Sequence, residues 1–353
     1  MNSVPRRPLR TATARFAIGT LFALHLCALF ADFLSPHPYA MGNDRHGFHP
    51  PMLLRIRVID EQGGWSRPFV YGIAAASAGG HAENRAEKYP LRLLPQGEAY
   101  SWLGLRCSRR LLGVEAPGRL YLLGTDQFGR DLLARILRGA QTSLSVGLLC
   151  VALTTGLGLL IGGWAGWRGG RIDFLLMRLV ELMLAIPSLY AVLILRRSFG
   201  DELSPARIHL LIVLLFTLTG WAPAARLIRG LFLGLKEREF ALAARAMGAG
   251  SLRIVLRHLL PNALPAMLAA AARTIPFFIL GEVSLSFLGL GVQEPEPSWG
   301  NLLAAAQSLR VLTDFSWLLL PGAFIFLAVL AWIWLAEALQ EEISPTRGIR
   351  LRI

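Results

Sequence analysis

The segment EREFALAARAMGAGSLRIVLRHLLPNALP, residues 237–265, lies between two long apolar runs and carries four arginines. Phe240, Ala243, Ala244 and Met247 recur at i, i+3, i+4 and i+7, a spacing that predicts one face of a short helix. Alanine keeps that face shallow. The segment is therefore predicted to contain a basic helix with a face of small residues, placed between two apolar runs.

The glycines that follow predict a second helix. Gly248 or Gly250 supplies the left-handed residue that ends many helices, and Ser251 is placed to cap a helix that runs toward Leu260 and Pro261. Two interpretations stay open at this point. The small-residue face can admit another protein while the arginines bind acidic groups or carbonyls, or the basic helices can rest on anionic lipid.

Composition places the chain in a membrane. Of its 353 residues 54% are hydrophobic and 17% are charged, and the mean hydropathy is +0.48, whereas soluble domains carry about 25% charged residues. The net charge of +13 is concentrated beside apolar runs, which argues against nucleic-acid binding. The three cysteines lie far apart, so neither a metal site nor a disulfide framework is indicated.

Six apolar runs are long enough to cross a bilayer as helices. We predict kinks at Pro187, Pro223 and Pro276. The predicted spans are residues 16–34, 143–165, 174–195, 208–225, 263–288 and 317–339.

The distribution of basic residues orients these spans. With the N-terminal segment 1–15 inside, the short loops on that side and the tail 341–353 hold 17 Lys and Arg, against four on the opposite side. We therefore expect both termini and the loop 226–261 in the cytoplasm, and residues 35–138 outside. The alternative for the first run is a cleaved signal peptide ending near "HPYA".

Residues 35–120 differ in composition from the rest of the chain and contain short β-like runs. The stretch MLLRIRVIDEQGGWSRPFVY, residues 52–71, predicts a hairpin around "EQGG". We expect residues 42–118 to form a small β-rich module that contacts a binding protein or covers the outer mouth. A decorative insertion, partly disordered, is the alternative.

Residues 121–142 are predicted to form an amphipathic helix at the membrane interface, started by Thr125 or Asp126. Gly129, Arg130 and Asp131 lie near its beginning. A surface helix packed on the preceding module is the alternative.

Ionisable residues inside the predicted spans are candidates for a translocation path, because charges within a membrane usually face a pathway or a partner. Arg273 suits a carboxylate and Glu282 an amine. Glu181 lies close to Arg178 near the cytoplasmic end, so structural pairing or snorkelling is the alternative for these groups.

Four stretches together resemble the permease subunits of ATP-binding cassette importers, in the dipeptide, oligopeptide and nickel branch and its second-permease type. They cover roughly residues 120–340 and read AARAMGAGSLRIVLRHLLPNALP, GTDQFGRDLLARILRGAQTSLSVG, ELMLAIPSLYAVLIL and SFLGLGVQEPEPSWGNLL. Two departures stand out: Leu242 occupies the position of the family's usual glutamate, near Glu239, and the segment 42–118 is longer than is common.

The resemblance implies an all-α permease core, residues 143–340, with six transmembrane helices in the cytoplasmic (inner) membrane. It implies that the loop 226–261 couples to a cytoplasmic ATPase, with Ala243, Ala244 and Gly248 forming the close-packed turn that enters the ATPase groove. The residues it assigns to coupling are Glu239, Ala243, Ala244, Gly248, Leu260 and Pro261. The implied partners are a second permease, two P-loop ATPases that use ATP and Mg, and an extracytoplasmic binding protein.

The chain itself has no nucleotide-binding or hydrolytic motif, so we expect no enzyme activity, no cofactor and no metal. The alternative function is a secondary transporter or channel acting alone, which predicts inverted repeats that the sequence does not display. Peptide, nickel chelate and other small solutes remain open as substrates.

Overall fold

A computed structural model describes residues 11–59, 64–75, 81–102, 104–200 and 203–343 of the protein. The N-terminal segment before residue 11 and the tail after residue 343, both predicted to be cytoplasmic, lie outside the described residues. The helices are α1 (Ala12–Leu29), α2 (Ala31–Leu34), α3 (Leu132–Arg168), α4 (Gly170–Ala185), α5 (Ser188–Arg197), α6 (Pro205–Gly220), α7 (Ala222–Leu235), α8 (Glu239–Ala246), α9 (Ser251–Ile254), α10 (Leu260–Phe287), α11 (Trp299–Ala304), α12 (Leu309–Asp314) and α13 (Leu320–Ile343).

Four helical stretches of the described chain are long and apolar enough to cross a membrane: Ala12–Leu29, Leu132–Arg168, Ser251–Phe287 and Ser316–Ile343. Two further apolar helix pairs are bent. The α4–α5 pair bends by 76° and the α6–α7 pair by 47°, which brings the count to as many as six if each pair is one span. This agrees with a membrane fold of four to six apolar helices.

Proline explains the two bends. Pro187 separates α4 from α5, and Pro223 lies in the first turn of α7, where its missing N–H costs no helical hydrogen bond. The predicted interruptions at these two prolines are confirmed. Pro276, in contrast, lies inside α10, which continues through it to Phe287.

The chain divides into two compact units. The first comprises Met1–Phe22, Ser145–Glu282 and Phe326–Ile353. Its described part contains most of the apolar helices and two buried clusters relevant below, one around Val180 and Trp221 and another around Phe232 and Ala244. The second unit comprises Ala23–Leu144 and Val283–Ile325.

The second unit contains the β-strands. They are β1 (Arg57–Ile59), β2 (Trp65–Ala75), β3 (His81–Pro90), β4 (Arg92–Leu93), β5 (Gln96–Trp102), β6 (Leu105–Arg109) and β7 (Leu112–Gly113). All paired strands are antiparallel, in the orders β1-β2-β3, β4-β7 and β5-β6. Arg57 pairs with Phe69 and Ile59 with Trp65, so the predicted hairpin is confirmed, although most of its turn lies outside the described residues.

The predicted interfacial helix over residues 121–142 is wrong in its boundaries. Helix α3 begins at Leu132 and runs without interruption into the second apolar run, so no separate helix exists there. The carboxylate of Asp131 accepts hydrogen bonds from the backbone N–H groups of Leu133 and Ala134, which makes Asp131, and not Thr125 or Asp126, the capping residue. Gly129 and Arg130 belong to the loop that precedes the helix.

Candidate functional site

The helix pair, which we define as α8 and α9 with the turn between them, has the predicted helix–turn–helix form. Gly248 adopts φ +78°, and the N–H of Ala249 donates to the carbonyl of Ala244, as expected for a left-handed helix end. Ser251 is the first residue of α9 and does not cap it. The residue before α9 is Gly250, so the predicted capping role of Ser251 is wrong.

The second helix also does not end near Pro261. Residues Val255–Leu259 form a π-helical turn that leads directly into α10, whose first two residues are Leu260 and Pro261. A proline lacks the N–H for an ordinary helical bond and its ring crowds the carbonyl four residues earlier. The wider turn relieves that crowding, so α9 and the following apolar helix form one continuous stretch.

The inner face of the helix pair is packed inside the first unit. Ala244 is only 2% exposed, and Ala241 is buried beside it. Their cluster consists of Ile228, Phe232, Ala241, Ala244, Ile254, Leu259, Ala263 and Met267, which come from α7, α8, α9, the π-helical turn and α10. The expectation that Ala244 enters a partner's groove is therefore wrong, because its methyl group already packs against this chain.

The outer face of the helix pair is apolar and basic. Met247 is 83% and Leu252 71% exposed, and Leu242 and Leu256 are also exposed. Ala243 lies on this exposed side, as does Glu239 in the first turn of α8, where a carboxylate complements the helix dipole. The guanidinium of Arg245 lies 5.2 Å from the centre of the Trp167 ring and ties α8 to the end of α3.

Helix α7 connects this pair to the bundle by close packing against α3. A side chain at Gly158 would meet Ala224 at 2.6 Å, and one at Gly166 would meet the carbonyl of Arg229 at 2.8 Å. Gly162, between them, leaves no space for a methyl group beside Ala225. Glycine at every fourth position thus lets the two backbones touch. Lys236, just after α7, donates to the Gly166 carbonyl at 3.0 Å.

One ion pair also holds α7 against α4. Arg229 binds the carboxylate of Asp173 with two hydrogen bonds of 2.5 and 2.6 Å, the fork geometry that only arginine provides. Both residues line a cleft of about 380 Å³ with Arg226 and Glu181. Glu181 is paired with Arg178 at 2.7 Å, as the structural alternative predicts.

The other two intramembrane charges lie in different surroundings. Arg273 is exposed and lines a cavity of about 240 Å³ together with Thr154, Thr155 and Thr274. Glu282 is completely buried and interacts inside the protein. Glu181 and Arg273 thus line separate cavities of the first unit.

An ion-pair cluster in the second unit joins two of the sequence stretches quoted above. Arg130 binds Asp126 at 2.7 Å and Glu294 at 2.6 Å, and the buried Arg135 binds Glu294 at 2.7 Å. Burial alone would raise the pKa of Glu294, but the two guanidinium groups lower it below its ordinary value. Nearby, Arg138 binds Glu296 at 3.1 Å. The cluster fastens the loop before α3 to the loop before α11.

Sequence reasoning missed the cluster and the glycine contact. The signal for the contact was present, because Gly158, Gly162 and Gly166 repeat every four residues within one apolar run. The ion pairs join residues about 160 positions apart, and no local pattern announces such a pairing.

Four to six apolar helices, with a helix pair whose inner face packs against them, define a membrane protein of several spans. Residues 158–346 match the family model described as "Binding-protein-dependent transport system inner membrane component". The chain belongs to this family, whose members span the inner membrane and serve as the transport component of multi-subunit complexes.

Individual proteins that resemble the chain include two peptide permeases and a solved transporter. The chain is 37% identical over 231 residues to the "Dipeptide transport system permease protein DppC" of Bacillus subtilis (strain 168), covering 65% of this chain and 70% of the relative. It is 34% identical to the "Oligopeptide transport system permease protein OppC" of the same organism, over 65% and 73% of the two chains. A solved inward-facing MetNI methionine ABC transporter shares 19% identity over 58% of this chain and 96% of that chain, with a TM-score of 0.42.

Proposed function

We propose that the chain is one of two permease subunits of an ATP-driven importer for di- or oligopeptides. The family membership and the peptide-permease relatives support this assignment. The observation that carries the mechanism is the helix pair, whose inner face is buried against α7 and α10 while its outer face presents exposed apolar and basic side chains. An outer face of this kind suits a protein groove better than water.

In this proposal the outer face of the helix pair binds a cytoplasmic P-loop ATPase. Two such ATPases hydrolyse ATP with Mg, and this chain binds neither. Closure of the ATPases pushes on Met247 and Leu252, and the packed inner face passes that displacement to α7 and α10. Rigid-body movement of two permeases then exposes the path alternately to each side.

The remaining parts follow from the same assignment. We assign six spans to the chain, with both termini in the cytoplasm and residues 35–138 outside. In this topology the strands of the second unit are available to an extracytoplasmic binding protein. Arg273, exposed beside three threonines, is the group we assign to the peptide carboxylate. Glu282, which is buried, and Glu181, which is paired with Arg178, take structural roles.

Co-purification tests the coupling. With a tag on this chain, Met247→Glu should co-purify with at least tenfold less of the ATPase subunits of its complex, because a charge replaces an apolar contact. Leu54→Glu is the matched control, since Leu54 is 91% exposed but lies in the second unit. Full ATPase retention and parental peptide uptake by Met247→Glu would contradict the proposal.

Labelling tests the orientation. A cysteine replacing Arg85, in a chain without its native cysteines, should react with an impermeant thiol reagent in intact cells. Reaction only after lysis would contradict the assignment of residues 35–138 to the outside.

A further inference from the structure

The end of α1 is joined to the β5–β6 hairpin by aromatic contacts. Helix α1 has 18 residues, a length of about 27 Å that matches the hydrocarbon core, and Asp32 follows shortly after its last residue, Leu29. The ring of Trp102 stacks on Phe30 with centroids 5.1 Å apart, and its indole N–H donates to the Leu29 carbonyl at 3.1 Å. The tip of the hairpin therefore lies beside the last turn of α1.

The register of the hairpin collects its large side chains on one face. Trp102 pairs with Leu105 and Tyr100 with Cys107, and residues two apart on a strand share a face. Leu105 is 63% exposed, next to Gly104 at φ +85° in the turn. The hairpin thus presents an aromatic and aliphatic tip that its own unit leaves uncovered.

A groove of about 360 Å³ runs along this face. Its walls are mostly apolar and come from Phe30, Phe33, Tyr100, Trp102, Cys107, Ser108 and Arg109. Arg109 is exposed, and its guanidinium makes no ion pair with any residue that the structure describes. A fixed support holds the groove open, because the buried Arg110 donates to the carbonyls of Asp32 and Ser35, and Leu111 to that of Phe33.

We propose that this groove binds an anionic phospholipid at the membrane surface around α1. Two observations select a lipid as the occupant. The groove is continuous with the end of a membrane-spanning helix, where Trp and Tyr favour the bilayer interface, and its apolar walls next to Arg109 match an acyl chain next to a phosphate. The bound lipid fixes the depth of the hairpin, and with it the second unit's strands, relative to the membrane.

Spin labels measure that depth directly. The full chain, with Cys27, Cys107 and Cys150 replaced by alanine, is labelled at one new cysteine and reconstituted alone into vesicles of zwitterionic and anionic phospholipid. Leu105→Cys should show preferential access to oxygen over a water-soluble nickel complex. Phe22→Cys on the exposed side of α1 gives the acyl-chain reference, and Glu98→Cys on the exposed far part of β5 gives the aqueous reference.

A Leu105 label as accessible to nickel as the Glu98 label would overturn the proposal. So would shielding that arises only when other subunits are added, because it would indicate a protein occupant.

Lipid retention gives a second readout on the chain with its native cysteines. After detergent purification the parent should retain phosphatidylglycerol, and Arg109→Gln should retain at least threefold less. Arg106→Gln is the matched control, because Arg106 pairs with Ser101 on the opposite face of the hairpin. Equal retention of phosphatidylglycerol by the parent and both variants would overturn the proposed contact between Arg109 and the lipid phosphate. This outcome does not depend on whether the complex imports peptides.

Discussion

Gly162→Ala tests the contact that connects the helix pair to the bundle. A methyl carbon at Gly162 would lie 2.7 Å from the carbonyl carbon of Ala225, and closer still to its oxygen. The atoms in its way belong to the α7 backbone, so no side chain can rotate aside. The variant must push α7 away from α3 or strain both helices.

The cost follows from the geometry. Carbon atoms in contact lie about 3.5–4.0 Å apart, so the helices have to separate by roughly 1 Å along this line. Overpacking of this kind costs about 1–3 kcal/mol, and the separation also weakens the contacts at Gly158 and Gly166. We expect the thermal midpoint to fall by roughly 3 °C for about 2 kcal/mol.

The assay is thermal denaturation of the purified full chain in detergent, followed by size-exclusion of the surviving fraction. Gly156→Ala is the matched control, because a methyl group there meets nothing within 4 Å in the same helix. The control should keep the parental midpoint or exceed it, since alanine is the better helix former. Equal midpoints for the two variants would refute close contact of α3 and α7.

Three further outcomes are expected. Ala244→Glu should unfold several degrees below Ala243→Glu in the same assay, because only the former buries a carboxylate without a partner; equal midpoints would place residue 244 on the surface. Glu294→Gln should lower the free energy of unfolding by about 1–3 kcal/mol, because it leaves the buried guanidinium of Arg135 without its full negative partner. Glu296→Gln should lower it by less than about 1 kcal/mol, because the ion pair of Glu296 is partly exposed. The reverse order of the two variants in denaturation would contradict the ion-pair cluster. Burial is the main reason why the pKa of His37 falls from 6.5 to about 3. The contribution of the neutral imidazole to stability is therefore complete above pH 6.5 and is lost as the pH falls toward 3. Between pH 7 and 5 the parent should lose more stability than His37→Gln, and parallel pH profiles of the two proteins would contradict this role of His37.

The membrane helices were predictable because lipid imposes a simple rule. A backbone in hydrocarbon must satisfy its own hydrogen bonds, so a long apolar run specifies a helix without reference to the rest of the chain. The interruptions at Pro187 and Pro223 follow from the ring itself, and the β1–β2 pairing follows from two extended runs around a glycine turn. Each of these inferences depends on neighbours within about 20 residues.

The errors arose where a distant partner decides the outcome. Amphipathic spacing before Leu132 looked like a separate helix, but Arg130 is held in a loop by its ion pairs with Asp126 and Glu294. Helical periodicity can identify a stripe, but it cannot say which stripe faces the protein. Ala244 belongs to the predicted stripe and is nevertheless covered, because the residues that cover it lie elsewhere along α7, α9 and α10.

Because Ala244 is buried, the small residues on the inner face of the helix pair contact this chain and not a partner. The methyl groups of Ala241 and Ala244 let α8 lie close to Phe232, so we expect the helix pair to move together with α7. In the proposed coupling, recognition by a partner depends on the outer side chains, of which Met247 is the most exposed apolar one at 83%. In the proposed coupling, the alanines set how firmly a displacement is passed on, and the outer residues, including Leu242, set which protein applies it. Substitutions on the two faces should accordingly have separable effects: inner changes lower stability, while outer changes weaken the association of a subunit.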